Sequence, residues 1–162
     1  MAVNIHIKID SIDGMSQVDG FTDQIQVDSF AWGMSQTTNF ATAQGGGAGK
    51  VQVQDLTFNH LVDRASPKLM IACSTGQHLK EATLSCRKVD GNGGVDFLKI
   101  TLTDVLVSSV QASGSNGDDT PTESVSLAFA AYKVEYQEQD NKGAKKGGVI
   151  DAKFSIQQNK KL

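Results

Sequence analysis

The sequence predicts a mainly β domain, because apolar residues recur at every second position in most of its segments. Within residues 3–9, apolar side chains at the odd positions alternate with polar ones, which is typical of a strand with one buried face. Glycine accounts for 16 residues and proline for only 2, a ratio that favours tight turns between strands over extended linkers. About seven or eight such strands and one helix indicate an antiparallel barrel or a two-sheet sandwich.

The second strand is predicted to start at Ile25 and to contain a β-bulge near Asp28–Ser29. Apolar residues before this point occupy odd positions and those after it even positions, and a parity change inside one strand requires an extra residue. We assign the later, even-numbered face to the core because it carries the largest apolar side chain of the chain. This face consists of Phe30, Trp32 and Met34.

Residues 37–50 interrupt the alternation and are expected to form a long loop. Loops of this length are usually functional or disordered, and Phe40 is the only large apolar side chain inside this one. The segment is not a phosphate-binding loop, because Gln44 replaces the first required glycine and Val51 replaces the required Ser or Thr. We interpret its glycines as a flexible hinge.

One helix is predicted with Ser66 as its N-cap residue, just before the first helical position, and with Gly76 as its C-terminal stop. Pro67 fits the first helical position. A helix this short needs tertiary packing, so we expect Leu69 and Met70 to lie against the sheet.

Further strands are predicted on both sides of this helix. They comprise a third strand over 51–58 with another parity change, a fourth over 82–86, three at about 95–103, 105–112 and 123–137, and a final one over 150–156.

The length of 162 residues fits one domain, which we place at 1–162. A formal net charge of −3 disfavours a nucleic-acid partner, since such domains are usually basic. The charge is uneven: residues 1–63 carry two basic and seven acidic side chains, and residues 142–162 carry six lysines and one acid. The basic stretch is either a solvated tail or a surface that meets the acidic end of a neighbouring chain.

No pattern of a secretory signal or of a membrane span is visible. Residues 1–9 alternate where a signal peptide needs a continuous apolar run, and no stretch approaches 18 uncharged apolar residues. We therefore expect synthesis in the cytoplasm and no membrane insertion.

Catalytic and metal-binding patterns are not found, so we expect no enzyme activity, no cofactor and no metal site. The three histidines, His6, His60 and His78, are not spaced as metal ligands, and His6 is expected to be exposed on the polar face of its strand. Cys73 and Cys86 are expected to be free, apolar residues rather than a disulfide.

Several short motifs occur in a characteristic order along nearly the whole chain. They are Met-Ala-Val at the start, Trp32-Gly-Met-Ser-Gln36, Gly45-Gly-Gly-Ala-Gly-Lys50, Val53-Gln-Asp-Leu56, the helix Ser66-Pro-Lys-Leu-Met-Ile-Ala-Cys-Ser74, Val105-Leu-Val-Ser-Ser-Val110 and Gly143-Ala-Lys145. In these motifs the sequence resembles the Hcp family, the tube subunits of bacterial type VI secretion systems.

The resemblance implies an antiparallel β-barrel of two sheets with one short flanking helix. It also implies hexameric rings that stack into a hollow tube, with a contractile sheath, a spike protein and secreted effector proteins as partners. Such a subunit leaves the bacterial cytoplasm for the extracellular space or a target cell without a signal peptide. The competing hypotheses are a monomeric small-ligand-binding β-barrel and a hydrolase with a scattered site.

Within this framework two sets of residues are candidates for function. Small side chains on the second strand leave space for cargo, which makes Ser29, Ala31 and Ser35 candidates for the tube lumen; alternatively they pack under a loop or against a neighbouring subunit. The long loop carries one large apolar side chain, and its glycines allow it to extend to an adjacent ring. The ring-stacking candidates are therefore Phe40, Gly45, Gly46 and Gly47.

Overall fold

The computed structural model describes residues 2–41, 46–91 and 93–162. In these residues it shows one helix and antiparallel strands, which confirms the predicted mainly β class. The elements are β1 Val3–Ile9, β2 Ile25–Val27, β3 Ser29–Ala31, β4 Met34–Asn39, β5 Gly47–Val53, β6 Leu56–Leu61, α1 Ser66–Thr75, β7 Leu79–Lys88, β8 Val95–Ser113, β9 Thr122–Tyr136, β10 Ile150–Ser155 and β11 Lys160–Lys161. No helix in the described ranges is long and apolar enough to cross a bilayer.

One nine-stranded sheet wraps around the core, and β4 and β5 form a separate two-stranded sheet. The large sheet runs in the order β11-β10-β9-β8-β7-β1-β2. Strand β9 is long enough to pair with β6 through residues 122–127 and with β10 through residues 131–136. Strand β2 is the last strand at one end of this order and pairs with β1, whereas β3, which follows it in the chain, pairs with β6. The connection from β2 to β3 therefore joins that end of the sheet to β6.

The parity change after β2 arises from a change of partner, and the prediction of a bulge near Asp28–Ser29 is wrong. Strand β2 pairs with β1, whereas β3 pairs with β6. Asp28 lies between them, and its N–H donates to the carbonyl of Asn59 at 2.8 Å. The side chains exchange faces because the backbone passes from one partner to the other.

Two other strand boundaries differ from the prediction. The expected third strand over 51–58 is two strands in different sheets, β5 and β6. The expected strands at 95–103 and 105–112 are one continuous strand, β8, in which Asp104 adopts a left-handed conformation with φ 55°. At this residue the buried positions change from Ile100 and Leu102 to Val105 and Val107, while the pairing with β7 and β9 continues in the same register.

The core is filled by side chains from both sides of the wrapped sheet. Phe58, Leu56 and Leu127 are 0% exposed, as is Ile7 on β1. Each fully buried side chain of this size contributes about 1.5–3 kcal/mol to folding. The interior is therefore packed with apolar groups contributed by strands far apart in sequence.

The helix begins one residue earlier than predicted, because its N-cap is Ala65 rather than Ser66. The capping role passes to the preceding loop, where Asp63 accepts the N–H of Ala65 at 2.8 Å and its own N–H donates to Ser66 Oγ at 3.2 Å. Pro67 lies in the first turn as predicted, and Gly76 ends the helix with φ 64°.

Only one of the two helix residues expected in the core is buried. Leu69 is 0% exposed, whereas Met70 is 42% exposed and points away from the sheet. We expect Leu69→Ala to lower the free energy of unfolding by about 2–5 kcal/mol, and Met70→Ala, the matched control, to change it by less than about 0.5 kcal/mol. Urea denaturation monitored by circular dichroism measures both, and equal losses in the two variants would contradict this assignment.

His6 is buried, contrary to the sequence prediction. Although it lies on the face of β1 that points away from the core, only 1% of the residue is exposed. The segment 10–24 folds back over this outer face and covers it, with Phe21 stacked on the imidazole ring. Strand alternation identifies the face correctly but carries no information about a covering segment.

Candidate assembly surfaces

The segment expected to be a long loop is mostly a β-hairpin. Strands β4 and β5 pair with each other in a register that joins Met34 to Val53 and Asn39 to Gly47. Every residue of β4 is exposed, and so is most of β5. This unit, which we call the hairpin arm (residues 34–41 and 46–53), is outside the main sheet and is largely exposed.

The tip of the hairpin arm contains most of the predicted stacking residues. Phe40 is 82% exposed, the highest value among the large apolar side chains of the described residues. Gly46 lies against the Phe40 ring and leaves no room for a Cβ atom, and Gly47 opens β5. Gly45 lies outside the described residues.

The predicted lumen residues are exposed but do not share one strand. Ser29 and Ala31 lie on β3 beside β6, whereas Ser35 lies on the hairpin arm. Ser29 Oγ accepts a hydrogen bond from the Asn59 side chain at 3.0 Å. The three small side chains thus extend from the main sheet into the arm.

The opposite face of this segment is only partly in the core. Phe30 and Trp32 are half-buried and pack against the core, and Trp32 Nε1 donates to the carbonyl of Gln54 at 2.9 Å. Met34 is 44% exposed, so its assignment to the core is wrong. The reason is that β4 has already left the main sheet at this position.

An apolar stripe on the main sheet was not recognised from the sequence. The register places Tyr132, Val134 and Tyr136 of β9 directly opposite residues of β8 that face the core, and β10 continues the same rows. At its outer end the stripe lacks cover, since Tyr136 is 44% and Ile150 is 68% exposed. We call it the β9–β10 stripe, and it consists of Tyr132, Val134, Tyr136, Ile150 and Phe154.

The stripe and the hairpin arm meet around one aromatic group. The Trp32 ring packs edge-on against Tyr132 with 5.0 Å between ring centroids. The Tyr132 hydroxyl donates to Met34 Sδ at 3.6 Å. The base of the arm is therefore anchored beside the buried end of the stripe, while the outer end of the stripe stays open.

One hollow lined by charged side chains lies on the surface of the described residues. It has a volume of about 270 Å³, and its charges are of both signs, among them Arg87, Asp96, Lys99 and Glu135. Arg87 is already paired with Asp96, with 2.7 Å between Nε and Oδ1. Within the described ranges, no His, Cys, Asp and Glu residues are grouped so as to hold a metal ion.

Comparisons with known proteins identify the family of this chain. A family model described as type VI secretion system effector, Hcp, matches residues 6–136. Protein hcp1 of Pseudomonas aeruginosa is 46% identical over 159 residues, covering 98% of both chains. A solved structure of a type six secretion system protein superposes with a TM-score of 0.92 at 34% identity, covering 99% of this chain and 100% of the other. Hcp1 from Salmonella typhimurium superposes with a TM-score of 0.82 at 37% identity over the full length of both chains. The chain belongs to the Hcp family of type VI secretion system proteins.

Proposed function

We propose that this protein is a structural subunit of the type VI secretion inner tube, which forms hexameric rings that stack and carry or chaperone effectors. It acts without catalysis, cofactor or nucleic acid and without insertion into a membrane. Its partners are further copies of itself, the spike protein, the contractile sheath and the secreted effectors. It is made in the bacterial cytoplasm and leaves it without a signal peptide, for the extracellular space or a target cell.

The observation that carries this proposal is the β9–β10 stripe. An exposed apolar row that continues the protein core is typical of a protein–protein interface, because its burial removes apolar surface from water. The exposed end carries Tyr136 and Ile150, and aromatic residues are enriched at interface centres. Covering the stripe with a different surface of the next subunit gives a heterologous contact, the type that closes into a ring.

The hairpin arm supports stacking of rings. Its strands are held by each other and not by the main sheet, so the arm reaches beyond the body of the subunit. Phe40 at its tip is an apolar anchor, and Gly46 and Gly47, with Gly45, let the backbone approach the adjacent ring closely. The acidic region 1–63 of one subunit and the basic region 142–162 of the next carry opposite charges, which favours a head-to-tail contact between subunits.

The lumen is assigned to the exposed face that carries Ser29, Ala31 and Ser35. Small side chains leave room for cargo, and all three are solvent-accessible in the isolated subunit. The alternative function, a monomeric small-ligand-binding barrel, has less support because the interior of the sheet is filled by side chains such as Phe58 and Leu127.

Light scattering after size exclusion tests the assembly, and Ala31→Gln tests the lumen. We expect the wild type to elute at about six times 17.2 kDa, as a ring should. Ala31→Gln should keep that mass and reduce the amount of effector that co-purifies, whereas Ala112→Gln, the same change at another exposed strand position, should alter neither.

The possible outcomes distinguish the tube subunit from the monomeric barrel, and the lumen from a subunit interface. A strictly monomeric wild type would refute the tube proposal and favour the ligand-binding alternative. Loss of the ring in Ala31→Gln would place Ala31 in a subunit interface, and unchanged effector retention by intact rings would remove it from the cargo surface.

A further inference from the structure

The segment 10–24, the outer cover, joins the sheet through backbone contacts only at its start, where the Asp10 N–H donates to the carbonyl of Glu81 at 3.0 Å and Ile12 bridges to Ile9. It lies over the face of β1 that points away from the core and buries Phe21 to 3% and Ser16 to 6% exposure. Its acidic residues Asp10, Asp13, Asp19 and Asp23 are not balanced by any basic residue within the segment. Its attachment therefore depends on groups that the sheet and the helix region supply.

The ends of the outer cover are tied to one arginine. Arg64 Nε donates to the carbonyl of Gly14 at 2.6 Å, and its Nη2 donates to Asp23 Oδ1 at 2.8 Å. These two contacts fix the segment near residues 14 and 23. Between them, Ser16 pairs with Asp23 and Gln24 through backbone hydrogen bonds, and residues 15–22 make a second set of contacts with the sheet.

His6 is the centre of that second set. Its ring stacks on Phe21 with centroids 4.4 Å apart and planes 9° apart. Its Nε2 lies 3.1 Å from Ser16 Oγ, while its Nδ1 is buried without a hydrogen-bond partner. A neutral imidazole fits this arrangement with the proton on Nε2, because the unprotonated Nδ1 then carries no N–H that would need an acceptor.

Arg87 completes the group from the neighbouring strand β7. Its guanidinium lies 4.2 Å from the centroid of the Phe21 ring, and its Nη1 donates to the carbonyl of Asp19 at 3.3 Å. Arg87 is oriented by Asp96 of β8, which accepts from its Nε at 2.7 Å. His6, Phe21 and Arg87 thus form one packed stack that joins the outer cover to two strands of the sheet.

The charges around His6 oppose its protonation. Burial lowers the pKa of the His6 imidazole below 6.5, and the nearby Arg87 lowers it further, while Asp96 partly opposes the shift. The other charges close by are Lys8, two residues along β1, and Asp19 in the outer cover; β2 contributes the uncharged Gln26 opposite His6. Because the folded state resists the proton, stability is full above the unfolded pKa and declines as pH falls below it.

We propose that the His6–Phe21–Arg87 stack is an acid-sensitive latch, which on protonation of His6 releases residues 15–22 from the outer face of the sheet. An imidazolium has two N–H donors, and Nδ1 has no acceptor in the closed latch. Opening the latch exposes the ring to water and relieves its repulsion from Arg87. The core stays folded because Ile5 and Ile7 face the opposite side of β1, and Arg64 retains both ends of the released loop.

Amide hydrogen exchange between pH 7 and pH 5, corrected for the intrinsic pH dependence, tests the latch. In the folded wild type we expect the Ser16 and Phe21 amides, which donate to Gln24 and Val18, to lose at least about tenfold of their protection relative to the Ile7 amide. The His6→Gln variant keeps a polar neutral side chain and should show no such loss. His78→Gln, which removes an exposed histidine, should behave as the wild type.

Two outcomes would overturn the proposal. One is equal loss of protection in His6→Gln, which would assign the acid response to another group. The other is constant protection in the wild type across this range. If His6→Gln fails to fold, nuclear magnetic resonance titration of the wild type decides: the His6 ring must titrate below pH 6.5 and together with the Phe21 ring, and a normal pKa or independent titration refutes the latch.

Discussion

If the wild type forms the proposed ring, the Ile150→Lys variant is expected to run as a folded monomer of 17.2 kDa. Ile150 is 68% exposed at the open end of the β9–β10 stripe, so a lysine there costs the isolated subunit little. In an assembled ring the same ammonium would be buried against apolar side chains without a counter-charge, which costs several kcal/mol at each contact. Because a ring repeats every contact, each subunit bears this cost.

A matched substitution on the helix separates a specific effect from a general one. Ile71 is also exposed, at 57%, but lies outside the stripe, so Ile71→Lys should leave the mass unchanged. Circular dichroism should show both variants folded. Rings that persist in Ile150→Lys would remove the stripe from the subunit interface, and rings lost equally in both variants would show that the effect is not specific to it.

The His60→Leu variant is expected to lose about 3–5 kcal/mol of the free energy of unfolding. His60 of β6 and Glu123 of β9 lie directly opposite each other across the ladder. Their side chains are 0% exposed, with 2.9 Å between His60 Nε2 and Glu123 Oε1. Removing the imidazole leaves a buried carboxylate with no hydrogen-bond partner, because Glu123 Oε2 already lacks one.

The double variant His60→Leu/Glu123→Leu should recover most of that loss, since two apolar side chains pack in place of the polar pair. His78→Leu provides the control: its ion pair with Asp104 is exposed, at 71% and 52%, and such pairs contribute about 0–1 kcal/mol. Urea denaturation gives all four free energies. A His60→Leu variant as stable as the wild type, or a double variant less stable than His60→Leu, would contradict this view of the His60–Glu123 pair.

The sequence predicted strands well where one face is buried, and poorly where strands change partners. Alternation located β1, β7 and β9 within a few residues, because each has a core face along most of its length. It failed at Asp28, since a switch between β1 and β6 produces the same parity change as a bulge. Strand pairing is a long-range property, and a local pattern does not encode it.

The sequence prediction also failed where a strand residue is buried by a segment outside its own strand. His6 was expected in solvent because its neighbours alternate normally, yet the outer cover encloses it. Ile150 shows the reverse case: its alternation with Asp151 is that of a core strand, but nothing within the described residues covers it. The lumen and stacking candidates are predictions from residue size and loop composition, whereas the β9–β10 stripe required the register.

The order of strands in the large sheet also sets the order in which the chain can fold. The β8–β9 hairpin is local, but β1 pairs with β7 across the first half of the chain, and His60 lies 63 residues from its partner Glu123. Folds dominated by such distant pairings have high contact order and fold in milliseconds to seconds. During synthesis one edge of β1 and one edge of β6 therefore stay unpaired until β7 and β9 have been made.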